Sequence, residues 1–194
     1  GRETLFSNTG QQNTAIGSCV LNCNTSGEFN TGLGYNALQN NTTGAYNTAV
    51  GNNALISNTT AINNTGIGNQ ALYYTTSGNY NTALGAVAFC NNSTGKANTT
   101  TGSYSLRGNT TGCYNTASGY YALRCNTTAN HNAAFGAYTM QYNTTGRQNT
   151  AVGNQALRYN TTGIYNAALG YQSLLSNTTG NYNTAVGFNT LYAN

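Results

Sequence analysis

Apolar and polar positions follow one another along this chain in a unit of 17 residues, repeated eleven times without an insertion or deletion. Each unit begins with Asn, Thr, a small residue, an apolar residue and Gly, with few exceptions. A register this strict indicates that each unit is one structural element stacked on an equivalent neighbour. The leading asparagines, which define position one of the unit, are Asn13, Asn30, Asn47, Asn64, Asn81, Asn98, Asn115, Asn132, Asn149, Asn166 and Asn183.

Each unit contains two short apolar segments, and each segment is followed by turn-forming residues. Positions three and eight are small, whereas positions four and nine are mostly large and apolar, as in Ala49, Val50, Ala54 and Leu55. This pattern predicts two short strands and two turns per unit. Helices are disfavoured, because no apolar stripe of 3.6-residue period spans ten positions and each glycine would cost roughly 1 kcal/mol in a helix.

The repeat therefore predicts an all-β fold, a parallel β-solenoid (β-helix or β-roll) with 17 residues per coil and about eleven coils. Each coil would rise by about 4.8 Å, which gives a rod about 55 Å long. The glycine at position five would supply a positive φ or a close approach, and the leading asparagines would stack as a hydrogen-bonded ladder. We interpret residues 1–194 as a single domain and, because neither end has a capping segment, as an excerpt or processed segment of a longer array.

Adjacent residues of a strand point to opposite faces, yet positions three and four are both restricted in type. Both faces of the strand are therefore expected to be packed. Alanine and glycine could fill a narrow coil while the large apolar row faces another chain, or the large residues could lie inside. A thick coil with its turns folded over both rows is the third arrangement. The first two predict self-association into a homo-oligomer or filament.

Charge and composition exclude several classes of function. The chain has six Lys and Arg residues and two carboxylates, with a net charge of +4, which is too sparse for nucleic-acid binding. The carboxylates, Glu3 and Glu28, lie many units from the single imidazole, His131, so we expect no enzyme, cofactor or metal site. His131 stands where other units have Tyr, which predicts a surface ring. No apolar stretch is long enough for a membrane span.

Three arginines, Arg107, Arg124 and Arg158, occupy the same unit position. Arg107 and Arg124 would lie on successive coils, where they could meet an anionic surface. They could equally be solvated side chains on an exposed ridge.

The Asn-Thr-Thr-Gly motif at positions twelve to fifteen matches the glycosylation acceptor Asn-x-Ser/Thr. It would allow a row of covalent glycans along one edge, or it could be turn-forming sequence without modification. Further matches at Asn40, Asn63 and Asn91 are not periodic. The periodic candidates are Asn24, Asn41, Asn58, Asn92, Asn109, Asn126, Asn143, Asn160 and Asn177.

The chain has five cysteines, so at least one is unpaired or pairs between chains. Cys19 and Cys23 are close enough in sequence to form a disulfide around one corner. Cys23 and Cys125 share a unit position six coils apart, which is too far for a bridge within one rod.

Stretches such as residues 149–163, Asn-Thr-Ala-Val-Gly-Asn-Gln-Ala-Leu-Arg-Tyr-Asn-Thr-Thr-Gly, resemble the 17-residue repeats of tail-fibre-like surface proteins of Bacteroidetes, phages and some large viruses. They are also similar in style to the left-handed β-roll heads of trimeric autotransporter adhesins, whose repeats differ in length. The resemblance implies a fibrous, self-associating protein outside the cell or on a cell or virion surface. It transfers no catalytic residue.

Three hypotheses of function follow. The first is a structural protein that forms an extracellular fibre, fibril or stalk, N-glycosylated along one edge. The alternative is an adhesin or tail-fibre shaft that binds surface carbohydrates through its tyrosines, among which Tyr120, Tyr121 and Tyr138 cluster irregularly. A minor alternative is ice binding, which requires outward Thr at alternate strand positions, whereas position two supplies only one Thr per strand.

Overall fold

The computed structural model describes residues 1–193. Within them, eleven three-residue strands form one parallel sheet in which each strand pairs with the next along the chain. Each residue pairs with its equivalent 17 residues later, as Thr48 does with Thr65. The predicted parallel β-solenoid is therefore confirmed. The strands are β1 (Thr14–Ile16), β2 (Thr31–Leu33), β3 (Thr48–Val50), β4 (Thr65–Ile67), β5 (Thr82–Leu84), β6 (Thr99–Thr101), β7 (Thr116–Ser118), β8 (Ala133–Phe135), β9 (Thr150–Val152), β10 (Ala167–Leu169) and β11 (Thr184–Val186).

The second apolar segment of each unit forms turns, so the prediction of two strands per coil is wrong. Leu55, at position nine, has φ of 51°, in the left-handed region. This conformation breaks the in-and-out alternation of a strand, so Ala54 and Leu55 both point into the core and have no exposed surface. The segment still bonds to the next coil, where the backbone N–H of Leu55 donates to the carbonyl of Ala71 at 3.0 Å.

The core is a narrow column of small and apolar side chains. Alanines of the strands and alanines and leucines of the turns form one continuous buried cluster. The outward residue at position four remains accessible, with Ile16 60 % and Leu33 42 % exposed. Of the arrangements compatible with the sequence, the strands therefore adopt the one with the small residue inside.

Glycine at position five makes the corner after each strand. Gly51 has φ of 133°, a conformation that side chains with a Cβ rarely adopt. A Cβ on Gly51 would also lie 2.5 Å from the carbonyl oxygen of Gly68 in the next coil. The same glycine column thus fixes both the direction of the chain and the close stacking of coils.

Candidate functional surfaces

The leading asparagines form the predicted ladder along the inside of the rod. The backbone N–H of Asn47 donates to Oδ1 of Asn30 at 3.0 Å, and its Nδ2 donates to the same oxygen at 3.1 Å. Asn47 Nδ2 also donates to the carbonyl of Ala61 at 2.8 Å. Each asparagine of the ladder therefore satisfies the hydrogen-bonding groups of both backbone and side chains in a buried corner. Its role is structural.

The asparagines at position twelve form a second ladder, which was not expected from the sequence. Asn58 Nδ2 donates to Asn41 Oδ1 at 2.6 Å and to the carbonyl of Ala61 at 3.2 Å. The two ladders thus meet at the same carbonyl. The regular recurrence of the Asn-Thr-Thr-Gly motif every 17 residues is the feature of the sequence that could have indicated this ladder. The same motif is also explained by a glycosylation acceptor or by a turn.

Burial of the second ladder bears directly on glycosylation. The nine periodic acceptor asparagines are at most 1 % exposed, and each donates its Nδ2 to the carbonyl at position fifteen. A glycan on Nδ2 would have to occupy the packed interior, so a row of sugars at these positions does not fit the folded coil. Asn40, Asn63 and Asn91 are exposed instead.

The outer face of the sheet has two columns of uncharged side chains. Position two is Thr in most coils and position four is mostly Ile, Leu or Val. Around Val152, Leu169 and Val186 these side chains line a shallow apolar groove of about 250 Å³. Only β6 has Thr at both outward positions, Thr99 and Thr101. The face is repetitive, with one column of mostly Thr and one mostly apolar column, and no charged side chain.

Aromatic side chains at position seventeen stack between coils wherever neighbouring units both have a ring. Phe29 and Tyr46 have ring centroids 4.8 Å apart with planes 5° from parallel. His131 stacks on Tyr114 at 5.0 Å and is exposed, which confirms the expected surface ring. Three such stacks place exposed aromatic rings at the corner before some of the strands.

A second aromatic region combines tyrosines with arginines, and we call it the arginine–tyrosine surface. The guanidinium of Arg124 lies 4.8 Å from the centroid of Tyr121 and that of Arg107 lies 5.9 Å from Tyr104. Further along the rod, Arg158 lies 5.2 Å from two tyrosine rings. This surface is defined by Tyr74, Tyr104, Arg107, Tyr121, Arg124 and Arg158.

The Tyr120 hydroxyl, near Tyr121 and Tyr138, remains neutral at physiological pH. A hydrogen bond to Tyr121, together with desolvation and neighbouring tyrosines, raises the pKa of Tyr120 to about 12. A tyrosinate at this position therefore does not offset the charge of the guanidinium groups, and the surface is cationic.

Two grooves meet at Arg107. One, of about 290 Å³, is lined by Tyr73, Tyr74 and Arg107. The other, of about 260 Å³, is lined by Arg107, Gly108 and Arg124. Arg107 Nε is buried there and has no hydrogen-bond partner in the protein.

All five cysteines are free thiols, so the disulfide between Cys19 and Cys23 is not formed. The residues between them include Val20 and Leu21, which point into the core, and the Cys19 thiol contacts Ser18 Oγ at 3.6 Å. Burial raises the pKa of the Cys90 thiol, an effect that the nearby Arg107 partly offsets.

Residues 1–193 contain no cluster of three His, Cys, Asp or Glu side chains suited to a metal ion. The same residues contain no helix that could cross a membrane. Comparisons of the chain with protein-family models, curated proteins and solved structures find no match. Its function must therefore be inferred from the surfaces themselves.

Proposed function

We propose that this protein is structural and that its β-solenoid rods associate with one another into an extracellular fibre, fibril or stalk. The observation that supports this most directly is the apolar column on the outer face of the sheet, where Ile16, Leu33 and Val186 are 60 %, 42 % and 65 % exposed. Burial of apolar surface contributes about 25 cal/mol per Å². A second copy of the same face is a suitable cover, because the face is apolar and has no charged side chain to desolvate.

The size of the face indicates how copies would associate. Eleven strands about 4.8 Å apart and about 10 Å wide give roughly 500 Å² per partner. A stable interface typically buries about 800 Å² per partner. The sheet face alone is smaller than this, so each rod would need to contact more than one copy to be held in a fibre.

Replacing Leu33 and Leu169 together by Thr tests this proposal. Thr occupies the same unit position at Thr101, so the coil can accommodate it. We expect the variant to lose filaments in electron micrographs and to shift towards monomer in sedimentation velocity, because two apolar contacts are removed from each face.

The control is the double variant Ile62→Thr and Ile164→Thr, which replaces two partly exposed aliphatic side chains at position sixteen, outside the sheet. It should assemble like the unchanged protein. A wild-type protein that is monomeric at all concentrations, or equal loss of assembly in both variants, would refute the proposal.

Binding of surface carbohydrates is the second candidate function, as in an adhesin or a tail-fibre shaft. The exposed aromatic stacks, such as Tyr165 on Tyr182 with centroids 5.1 Å apart, support it because sugar rings pack well against aromatic faces. Location outside the cell or on a virion is part of both proposals and is based on the resemblance of the repeats. Covalent glycans, if attached, would fit only at exposed asparagines such as Asn40.

A further inference from the structure

We propose that the arginine–tyrosine surface binds an acidic polysaccharide, with a carboxylate or sulfate held by Arg107 and Arg124 and a sugar ring against Tyr74. This inference rests on the second candidate function and gives it a site and a ligand class. It does not depend on self-association, because the grooves share no residue with the outer face of the sheet.

The charge distribution favours binding of an external anion at Arg107 and Arg124. Arg107 and Arg124 are equivalent residues of successive coils, about 4.8 Å apart along the rod, and their like charges repel. Glu3 pairs with Arg2 at 3.6 Å. Glu28, the other carboxylate of the chain, lies five coils from Arg107, about 24 Å away and beyond the screening length of about 8 Å.

The hydrogen-bonding state of Arg107 indicates where the anion would lie. Arg107 lines both grooves, and its buried Nε has no partner in the protein, so no other side chain holds this nitrogen in place. By contrast, Arg158 Nε donates to Gln141 Oε1 at 2.9 Å. Gly108 has no side chain and leaves the groove open beside Arg107. A guanidinium binds a carboxylate or sulfate through two parallel hydrogen bonds.

Tyrosines beside the grooves favour a saccharide over other anions. Tyr73 and Tyr74 form an edge-to-face pair with centroids 4.6 Å apart, and Tyr74 is 54 % exposed. A ring held in this way offers a rigid face to the apolar side of a sugar. Single-stranded nucleic acid would also stack, but the next arginine at the same unit position, Arg158, lies two coils beyond Arg124, about 10 Å away. Most phosphates of such a strand would remain unpaired.

The test measures binding of the full chain to four polymers at physiological salt: polygalacturonate, dextran sulfate, neutral dextran and oligo(dT). The variant replaces Arg107 and Arg124 by Gln, which the same unit position already contains at Gln39 and Gln141. We expect it to weaken binding of the acidic polysaccharides by about 10-fold. The control variant, Lys96→Gln with Arg147→Gln, removes the same charge from exposed sites and should weaken binding by less than about 2-fold.

Binding of the uronate polymer alone, the sulfate polymer alone or both supports the site and identifies the acidic group. Equal loss in the two double variants, equal binding of neutral dextran, or tighter binding of oligo(dT) would overturn it. If the acidic polymers bind but the Arg107 and Arg124 variant is unaffected, the site is wrong while carbohydrate binding stands. If no polymer binds, both the proposed site and the carbohydrate-binding function are wrong. Circular dichroism of each variant shows whether the coil is retained.

Discussion

The backbone strain of each coil lies mainly at its residues with positive φ. Besides the glycine corner, positions seven, nine and seventeen are left-handed, as at Asn53, Leu55 and Tyr46, with φ of 56°, 51° and 59°. Such a conformation costs roughly 1–2 kcal/mol for a residue with a side chain. Burial of the leucine and hydrogen bonds between coils, such as Asn53 N–H to the carbonyl of Tyr35 at 2.8 Å, offset that cost.

Alanine substitutions at two glycines, one with positive φ and one without, can distinguish the cost of backbone strain from the cost of steric crowding by the added Cβ. Gly85 has φ of 140°, and a Cβ there would lie 2.7 Å from the carbonyl carbon of Gly102. We expect Gly85→Ala to lower the free energy of unfolding by at least about 1–2 kcal/mol, measured by thermal or chemical denaturation.

The control for this prediction is Gly95→Ala, one turn further along the chain. Gly95 is not among the residues with positive φ, and its unit position is already alanine at Ala61 and Ala129. Gly95→Ala should therefore be the milder change. A Gly85→Ala protein as stable as the Gly95→Ala protein would contradict the role of the corner.

Within one coil, the two asparagine ladders connect the strand to the turns. Asn47 of the first ladder and Asn58 of the second both donate to the carbonyl at position fifteen, that of Ala61. This single acceptor connects the corner before the strand to the corner after the leucine turn. Thr75 replaces an asparagine of the second ladder, and Asn92 Nδ2 reaches its hydroxyl at 3.4 Å. The neighbouring Asn58 Oδ1 is buried without a hydrogen-bond partner.

Replacing Thr75 by Asn should complete this ladder. The new amide would donate to Asn58 Oδ1 and accept from Asn92, so we expect a gain in stability of about 1 kcal/mol. Thr76→Asn, at the exposed neighbouring position, should give no such gain. A denaturation midpoint for Thr75→Asn at or below that of the unchanged protein would show that the interruption is harmless.

The sequence predicts some elements of the coil better than others. The Thr-Ala-Val segments were predicted correctly as strands, because a constant period and opposite side-chain environments define a stacked strand. The Ala-Leu segments were not, because apolar type alone does not reveal that Leu55 is left-handed. Burial of Asn41 was also hidden, since the same short motif describes a turn and a glycosylation acceptor. Arg107 and Arg124 could be placed on successive coils, but the groove opened by Gly108 depends on side-chain packing.

Across the whole rod, each coil contacts only the coil before and the coil after it. In such a one-dimensional stack, stability is approximately the sum of coil and interface terms, and opening begins where neighbours are fewest. The sheet ends at β1 and β11, each of which pairs on one side only.

Hydrogen exchange of the isolated chain measures this directly. We expect backbone amides near β1 and β11 to exchange fastest and those near β5 to β7 slowest. Exchange should slow at the outer strands when coils are added to either end of the chain, and it should stay unchanged in the middle. Uniform exchange along the rod would instead indicate all-or-none unfolding.

In the proposed association of rods, the outer column would also determine how two copies are aligned. If all its residues were alike, copies joined through this face could slip by one coil without changing their contacts. Thr101, Ser118 and Phe135 interrupt the aliphatic series, so two small residues and one bulky residue lie at known heights along the column. If two rods were shifted by one coil, Phe135 would contact a different residue of the partner rod. The contacts of one alignment would therefore differ from those of all the others.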